Sequence, residues 1–159
     1  MPTPEELETK LWAGLRSERT VMLGTADNQA PARPMTAQID GDENHGPLWF
    51  FTSQHSEIAR AGAGAATATF VAKGHDLFAR IEGRLTKVTD RAMIDRLWNP
   101  FVAAWYDGKD DPDIALLRMD LDNAEIWENA SSLLAGIKAM FGAKPQEDFR
   151  DKVAEVPLR

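Results

Sequence analysis

The chain has 159 residues, 43% hydrophobic and 27% charged, which suits one soluble domain able to bury a sizeable core. Its 18 Lys and Arg against 25 Asp and Glu give a net charge of −7 with no basic stripe, which argues against nucleic-acid binding. There is no cysteine, which excludes disulfides, thiol nucleophiles and thiolate-held metal centres, and no apolar run approaches the roughly 18–20 residues of a membrane span. The acidic start, Met1 to Glu6, lacks an apolar signal core, so the expected location is the cytoplasm.

In chain order, Thr3 can cap a helix that Pro4 starts, with Glu5 and Glu6 favouring its N-terminal dipole. Leu7, Leu11, Trp12 and Leu15 fall on one face of it. Val21 to Ala26 reads as a strand, Asp27 to Gln29 as a turn, and Ala30 to Ile39 as the partner strand. Pro34 has no N–H to give, which suggests an edge, a bulge or backbone facing a ligand. Asp40 to Pro47 is a polar loop, and Leu48 to Phe51, apolar on both faces, predicts a central buried strand.

Ser56 can cap a short helix from Glu57 to Ala61, and Ala66 to Val71 predicts another strand. Phe78 to Val88 alternates: Ala79, Ile81, Gly83 and Leu85 share one face, Arg80, Glu82 and Arg84 the other. Asp90 caps a helix with Met93, Ile94, Leu97, Trp98 and Phe101 at helical spacing. An acidic loop spans Tyr106 to Asp113, and Leu116 to Trp127 reads as one or two strands around Asp122 and Asn123. Ser131 or Ser132 caps a last helix carrying Leu133, Leu134, Ile137, Met140 and Phe141, ended by Gly142. Residues 143–159 read as a polar tail, mobile or paired with a partner chain. Several strands with few intervening helices predict a mostly β, antiparallel barrel with peripheral helices as a single domain over 1–159, its core at about 5–141.

Most motif-like features have a plain structural reading. Gly62-Ala63-Gly64 follows a helix and precedes a strand, the reverse of a dinucleotide-binding turn, so a flexible connection is expected. His45, His55 and His75 are too scattered for a metal pair and read as solvated loop residues. No serine sits in a G-x-S-x-G elbow. The carboxylates Asp107, Asp110, Asp111 and Asp113 lack the register of a calcium loop and suit a turn. Of the five tryptophans, most are expected to pack in the core or at a dimer interface.

One constellation points to a ligand. Arg33-Pro34-Met35-Thr36 is followed by Leu48-Trp49-Phe50-Phe51-Thr52-Ser53, an arginine on one strand and two hydroxyls ending the next. If the strands pair, guanidinium and hydroxyls converge on one anion, and Arg offers fixed bidentate donors to phosphate. Alternatively the arginine is solvated and the hydroxyls only begin a turn.

These stretches, with Val21 to Thr25, Arg80-Ile81-Glu82-Gly83, Leu97-Trp98-Asn99-Pro100, Ala104 to Pro112 and Ala124-Glu125-Ile126-Trp127, resemble the general stress protein 26 family. That family lies within the split-barrel proteins similar to pyridoxamine 5'-phosphate oxidase, and the resemblance runs from about Glu5 to Phe141. It implies a six-stranded split β-barrel that forms a homodimer, with FMN, or FAD with the same phosphate end, at the interface. It implies that Arg33, Thr52, Ser53 and Ser56 hold phosphate, that Pro34, Met35 and Thr36 lie along the flavin, that Phe51 accompanies Thr52, and that Trp127 walls the ring.

The departures are equally specific. Where the oxidases carry two basic residues after the serine, this chain has Glu57 and Ile58. Where they end the Arg-led strand in lysine it has Gln38, and where they grip the vitamin phosphate with Arg-x-His it has Leu133 and Ala135. The expectation is a flavin-binding stress protein, an oxidoreductase of a small molecule other than the vitamin. The alternatives are a flavin store or sensor without turnover, and a structural dimer that has lost the ligand. No catalytic acid or base is assigned.

Overall fold

The structure, a computed structural model, describes residues 2–129 and 153–158. Helix α1 (Pro4–Glu18) opens with a reciprocal capping box: Thr3 Oγ1 accepts from Glu6 N at 3.1 Å, and Glu6 Oε2 accepts from Thr3 N at 2.9 Å. Leu7, Leu11, Trp12 and Leu15 are buried, as their spacing predicts. Arg19, in a left-handed conformation, ends the helix and turns the chain into the sheet. Thr3→Ala is expected to cost about 1 kcal/mol, read as a lower urea midpoint with an unchanged slope.

Six strands follow in a single antiparallel path. They are β1 (Thr20–Thr25), β2 (Arg33–Thr36), β3 (Leu48–Ser53), β4 (Gly64–Val71), β5 (Leu77–Val88) and β6 (Ile114–Glu128). Their spatial order is β2-β1-β4-β5-β6-β3. The short helices α2 (Glu57–Ala61), α3 (Arg91–Leu97) and α4 (Pro100–Ala103) lie in the connections, capped by Ser56, Asp90 and Asn99. The two ends of the path meet at one bridge, where Gln38 N donates to Trp49 O at 2.7 Å and Trp49 N to Gln38 O at 2.9 Å. No continuous ladder closes the barrel among the described residues, which is the split-barrel arrangement. Among them, too, no helix is long and apolar enough to cross a membrane.

The structure corrects four expectations. The strand predicted over Ala30 to Ile39 is ordered as a ladder only over Arg33–Thr36. Pro34 sits opposite Met22 in this end strand, where its missing N–H costs no ladder bond. β3 is the last strand of the path, not a central one. Its two apolar faces have different covers: Leu48 and Phe50 enter the main core, while Trp49 and Phe51 pack with Ile94 and Leu97 of α3 in a second cluster.

The helix predicted through Phe101 breaks instead at Trp98, where Pro100 forces the preceding residue into extended backbone and a new cap begins at Asn99. Phe101 is 75% exposed rather than buried. Part of the polar tail is a seventh strand, β7 (Val153–Pro157), which pairs with this chain's own β6 and buries Val156 and Leu158. A sheet of seven strands therefore replaces the expected six. The predicted final helix, with Leu133 and Ala135, lies outside the described residues.

β6 organises the whole. One edge pairs with β5 along nearly its full length, while the other takes β3 at Ile114 to Met119 and β7 at Asn123 to Trp127. A register shift between Glu82 and Gly83 leaves Asp122 as the extra residue of a bulge, so the sequence break at Asp122-Asn123 is a bend within one strand. The core beneath holds Trp12, Phe50 and Phe70, each under 2% exposed, and each such side chain adds on the order of 2 kcal/mol through burial.

Candidate functional site

The end of β3 and the short β2 bound a groove of about 430 Å³. Arg33, Pro34, Met35 and Thr36 line one side, Phe51, Thr52 and Ser53 the next, and Phe101, Val102, Trp105, Tyr106 and Asp113 the outer wall. Seven of the predicted residues are thus brought together. Arg33 is exposed, and its guanidinium has no hydrogen-bond or ion-pair partner among the described residues.

The hydroxyls are differently engaged. Ser56 Oγ donates to Ser53 O at 2.8 Å, so its single proton is spent. Its lone pairs take Ala59 N–H, which caps α2, and the hydroxyl of Thr52 at 3.0 Å. Ser56 therefore stands behind Thr52 as its support instead of lining the groove. Ser53 Oγ donates to Asp113 Oδ1 at 2.8 Å and accepts His55 N at 3.1 Å. Both hydroxyl protons at the end of β3 are committed, which leaves Arg33 as the unengaged cation of the lining. Glu57 is exposed, and Ile58, fully buried in the core beneath α2, occupies a position where a basic residue would be costly.

Trp127 is not in this groove. It lies thirteen residues beyond Ile114 on β6, roughly 40 Å along the strand. There it is half-buried on the outer face of the sheet, with the Arg80 guanidinium 5.9 Å from its ring centre. Beside the predicted Phe51, the groove has aromatics that were not predicted for it: Phe101, Trp105 and Tyr106. Behind this wall Phe51 meets Trp98 edge-on at 6.2 Å, and Trp98 meets Tyr106 at 6.4 Å. Phe101 and Trp105 stand 75% and 81% exposed on the rim. The signal for them was Asn99-Pro100: a proline directly after a strong cap starts a new, separately oriented helix.

The acidic loop is held by its own backbone. Asp111 accepts from Asp107 N at 3.0 Å and from Asp113 N at 2.9 Å, and these two bonds hold its carboxyl below the usual range. Burial, with Asp113 and Asp111 beside it, pushes the Tyr106 phenol from 10.0 to about 12, so it remains a neutral donor. Tyr106 is the chain's single tyrosine, so phenolate absorbance reports it alone. The expected alkaline titration has a midpoint near 12 in the folded protein and near 10 in urea. Because the folded value is the higher, this residue's contribution to stability is whole below pH 10 and falls as pH rises towards 12. A folded midpoint near 10 would show that the phenol is neither desolvated nor beside these carboxylates.

The model of the family described as pyridoxamine 5'-phosphate oxidase like matches residues 6–148. The chain is 56% identical to a general stress family protein of Xanthomonas campestris pv. campestris (TM-score 0.76, 87% of this chain and 97% of that one). It is also 56% identical to the general stress FMN/FAD binding protein of Xanthomonas citri (TM-score 0.75, 84% and 96%). A general stress protein 26 of Jannaschia sp. CCS1 is 28% identical (TM-score 0.79, 98% and 99%). No curated protein matches the chain. With a family match over nearly its whole length and a fold shared with these relatives, the chain belongs to the general stress protein 26 group of the pyridoxamine 5'-phosphate oxidase-like family.

Proposed function

We propose that the protein binds a flavin nucleotide, FMN or FAD, in the groove between β2 and β3, with its phosphate at Arg33. The observation that carries this reading is Arg33 itself: a guanidinium with no partner among the described residues, at a groove otherwise walled largely by apolar and aromatic side chains. That combination fits an anionic group on a planar aromatic body. The volume lies within the roughly 300–1,000 Å³ of small-ligand sites. The 56% identical Xanthomonas citri relative, an FMN/FAD binding protein, supports the same reading.

In this reading Arg33 holds the phosphate, Thr52, backed by Ser56, lies beside it, and Pro34 to Thr36 run along the ring. A bound flavin supplies the redox chemistry, and the chain positions it and limits its solvent exposure. Phe101 and Trp105 are exposed at the open side, which suits closure by a second copy of the chain in a homodimer. Trp127, remote from the groove within its own chain, would reach a flavin only across such a dimer. Gln38 stands where the oxidases have a lysine that meets flavin and substrate, and Leu133 and Ala135 stand where their Arg-x-His grips the vitamin phosphate, so the substrate in this reading is a different small molecule.

The test is direct. Purified protein should be yellow, or take up added FMN or FAD, and release intact flavin on denaturation. Colourless protein that takes up neither overturns the proposal. NAD(P)H consumption by the loaded protein with an added acceptor marks an oxidoreductase, whereas stable flavin without turnover marks a store or sensor.

A further inference from the structure

Gln38 is the buried polar residue among the described core positions, 8% exposed, and it lines the groove. Its backbone is fully used in the bridge to Trp49. What its side chain offers a ligand is decided elsewhere, by the cap of α4. Asn99 Oδ1 accepts two backbone N–H groups, from Phe101 and Val102, each at 3.0 Å. Only an oxygen can do so, which fixes the other terminal atom as the Nδ2 amine. That amine donates to Leu97 O at 3.3 Å and to Gln38 at 3.2 Å. The Gln38 atom facing Asn99 must then be its oxygen.

The Gln38 Nε2 amine is left without a protein partner among the described residues. A smaller cavity of about 200 Å³ also touches Gln38, on the side of Arg16 and Arg19. The side-chain amide, however, is held against Asn99 at the start of α4, whose Phe101 and Val102 line the groove.

We infer that Asn99 sets the polarity of the groove floor, orienting Gln38 so that it presents an N–H donor to a carbonyl-type acceptor on the bound ring. This rests on the flavin reading above, since a flavin ring carries such acceptors at one edge and its phosphate at the far end of the ribityl chain. Asn99 is a positioning residue here, and Gln38 touches the ligand. A neutral donor discriminates where a lysine does not: it accepts a carbonyl edge and gives little to a second phosphate. The same cap orients α4, so one asparagine couples the floor of the groove to its aromatic rim.

Asn99→Asp separates the two roles. The carboxylate still accepts from Phe101 and Val102, so α4 stays capped, but it has no proton to give Gln38. The Gln38 amide then turns its amine to the carboxylate and its oxygen to the ligand. The affinities of FMN and of riboflavin, which lacks the phosphate, should both fall about tenfold by fluorescence titration, while the melting temperature falls only by what the lost bond to Leu97 O contributes. Gln38→Leu should weaken both flavins alike, and the double variant should be no weaker than Gln38→Leu alone. Asn99→Asp protein that binds both flavins as wild type does, or fully additive losses, overturns the inference while leaving the flavin reading standing. Wild-type protein that binds neither flavin overturns both.

Discussion

Gly83→Ala should destabilise the protein by about 3 kcal/mol, near the top of the range for overpacked interiors. A Cβ built on Gly83 lies 2.1 Å from the carbonyl oxygen of Asp120 and 3.2 Å from Cα of Leu121. Both are backbone atoms of β6, which is paired with β5 on this edge and with β3 or β7 on the other. The obstacle therefore cannot swing aside as a side chain could. The close approach arises from the bulge, because Gly83 faces Leu121 immediately beside the extra residue Asp122. For a chain of this length the loss corresponds to roughly 6–12 °C in melting temperature. Gly14→Ala provides the contrast. Its Cβ comes no nearer than 3.0 Å to the Phe70 ring edge, a side chain that needs to shift by only a few tenths of an ångström, so a smaller loss is expected. Equal losses at the two sites in urea unfolding would show that the β5–β6 approach is not the constraint described.

What was legible in the sequence follows from which signals are local. The caps at Thr3, Ser56 and Asp90, the alternation along β5 and the gathering of Arg33 to Thr36 with Phe51 to Ser53 rest on neighbours in the chain or on one short connection. Leu48 to Phe51 was legible as buried but not as terminal in the sheet, because an apolar face records that it is covered and not by what. β7 was hidden for a related reason. Its inward residues, Ala154, Val156 and Leu158, alternate over only six positions, and Pro157 within the run argues against a strand. The tryptophans were the hardest. Trp12 and Trp49 are core, Trp105 is 81% exposed, and Trp127 stacks under Arg80 far from the groove. Composition cannot separate those settings, since all favour a large amphipathic ring. The hydroxyls show the limit for the site itself: residue type placed Thr52, Ser53 and Ser56 together, but the Ser53 proton goes to Asp113, sixty residues away, which no local signal records.

Arg33→Glu should lower FMN affinity about a hundredfold or more while leaving stability within about 0.5 kcal/mol of wild type. Stability is spared because Arg33 is exposed and its guanidinium has no partner among the described residues, so its removal strands no buried group. Affinity is not spared, for two additive reasons. Loss of a charge-assisted bond to phosphate costs about 1.5–3 kcal/mol. The new carboxylate then repels the phosphate by on the order of 1 kcal/mol, a value already reduced for solvent. The neighbours offer little compensation, since Thr52 and Ser53 have committed their protons and Asp113 adds a further negative charge to the groove. Arg33→Lys should fall between, keeping the charge but losing the bidentate fork, with a loss that narrows as salt rises. Riboflavin provides the internal control. Without a phosphate it should bind the three Arg33 forms alike, whereas the Gln38 and Asn99 variants weaken riboflavin and FMN together. An Arg33→Glu protein whose FMN affinity stays within twofold of wild type would move the phosphate away from β2 and with it the orientation proposed for the whole ligand.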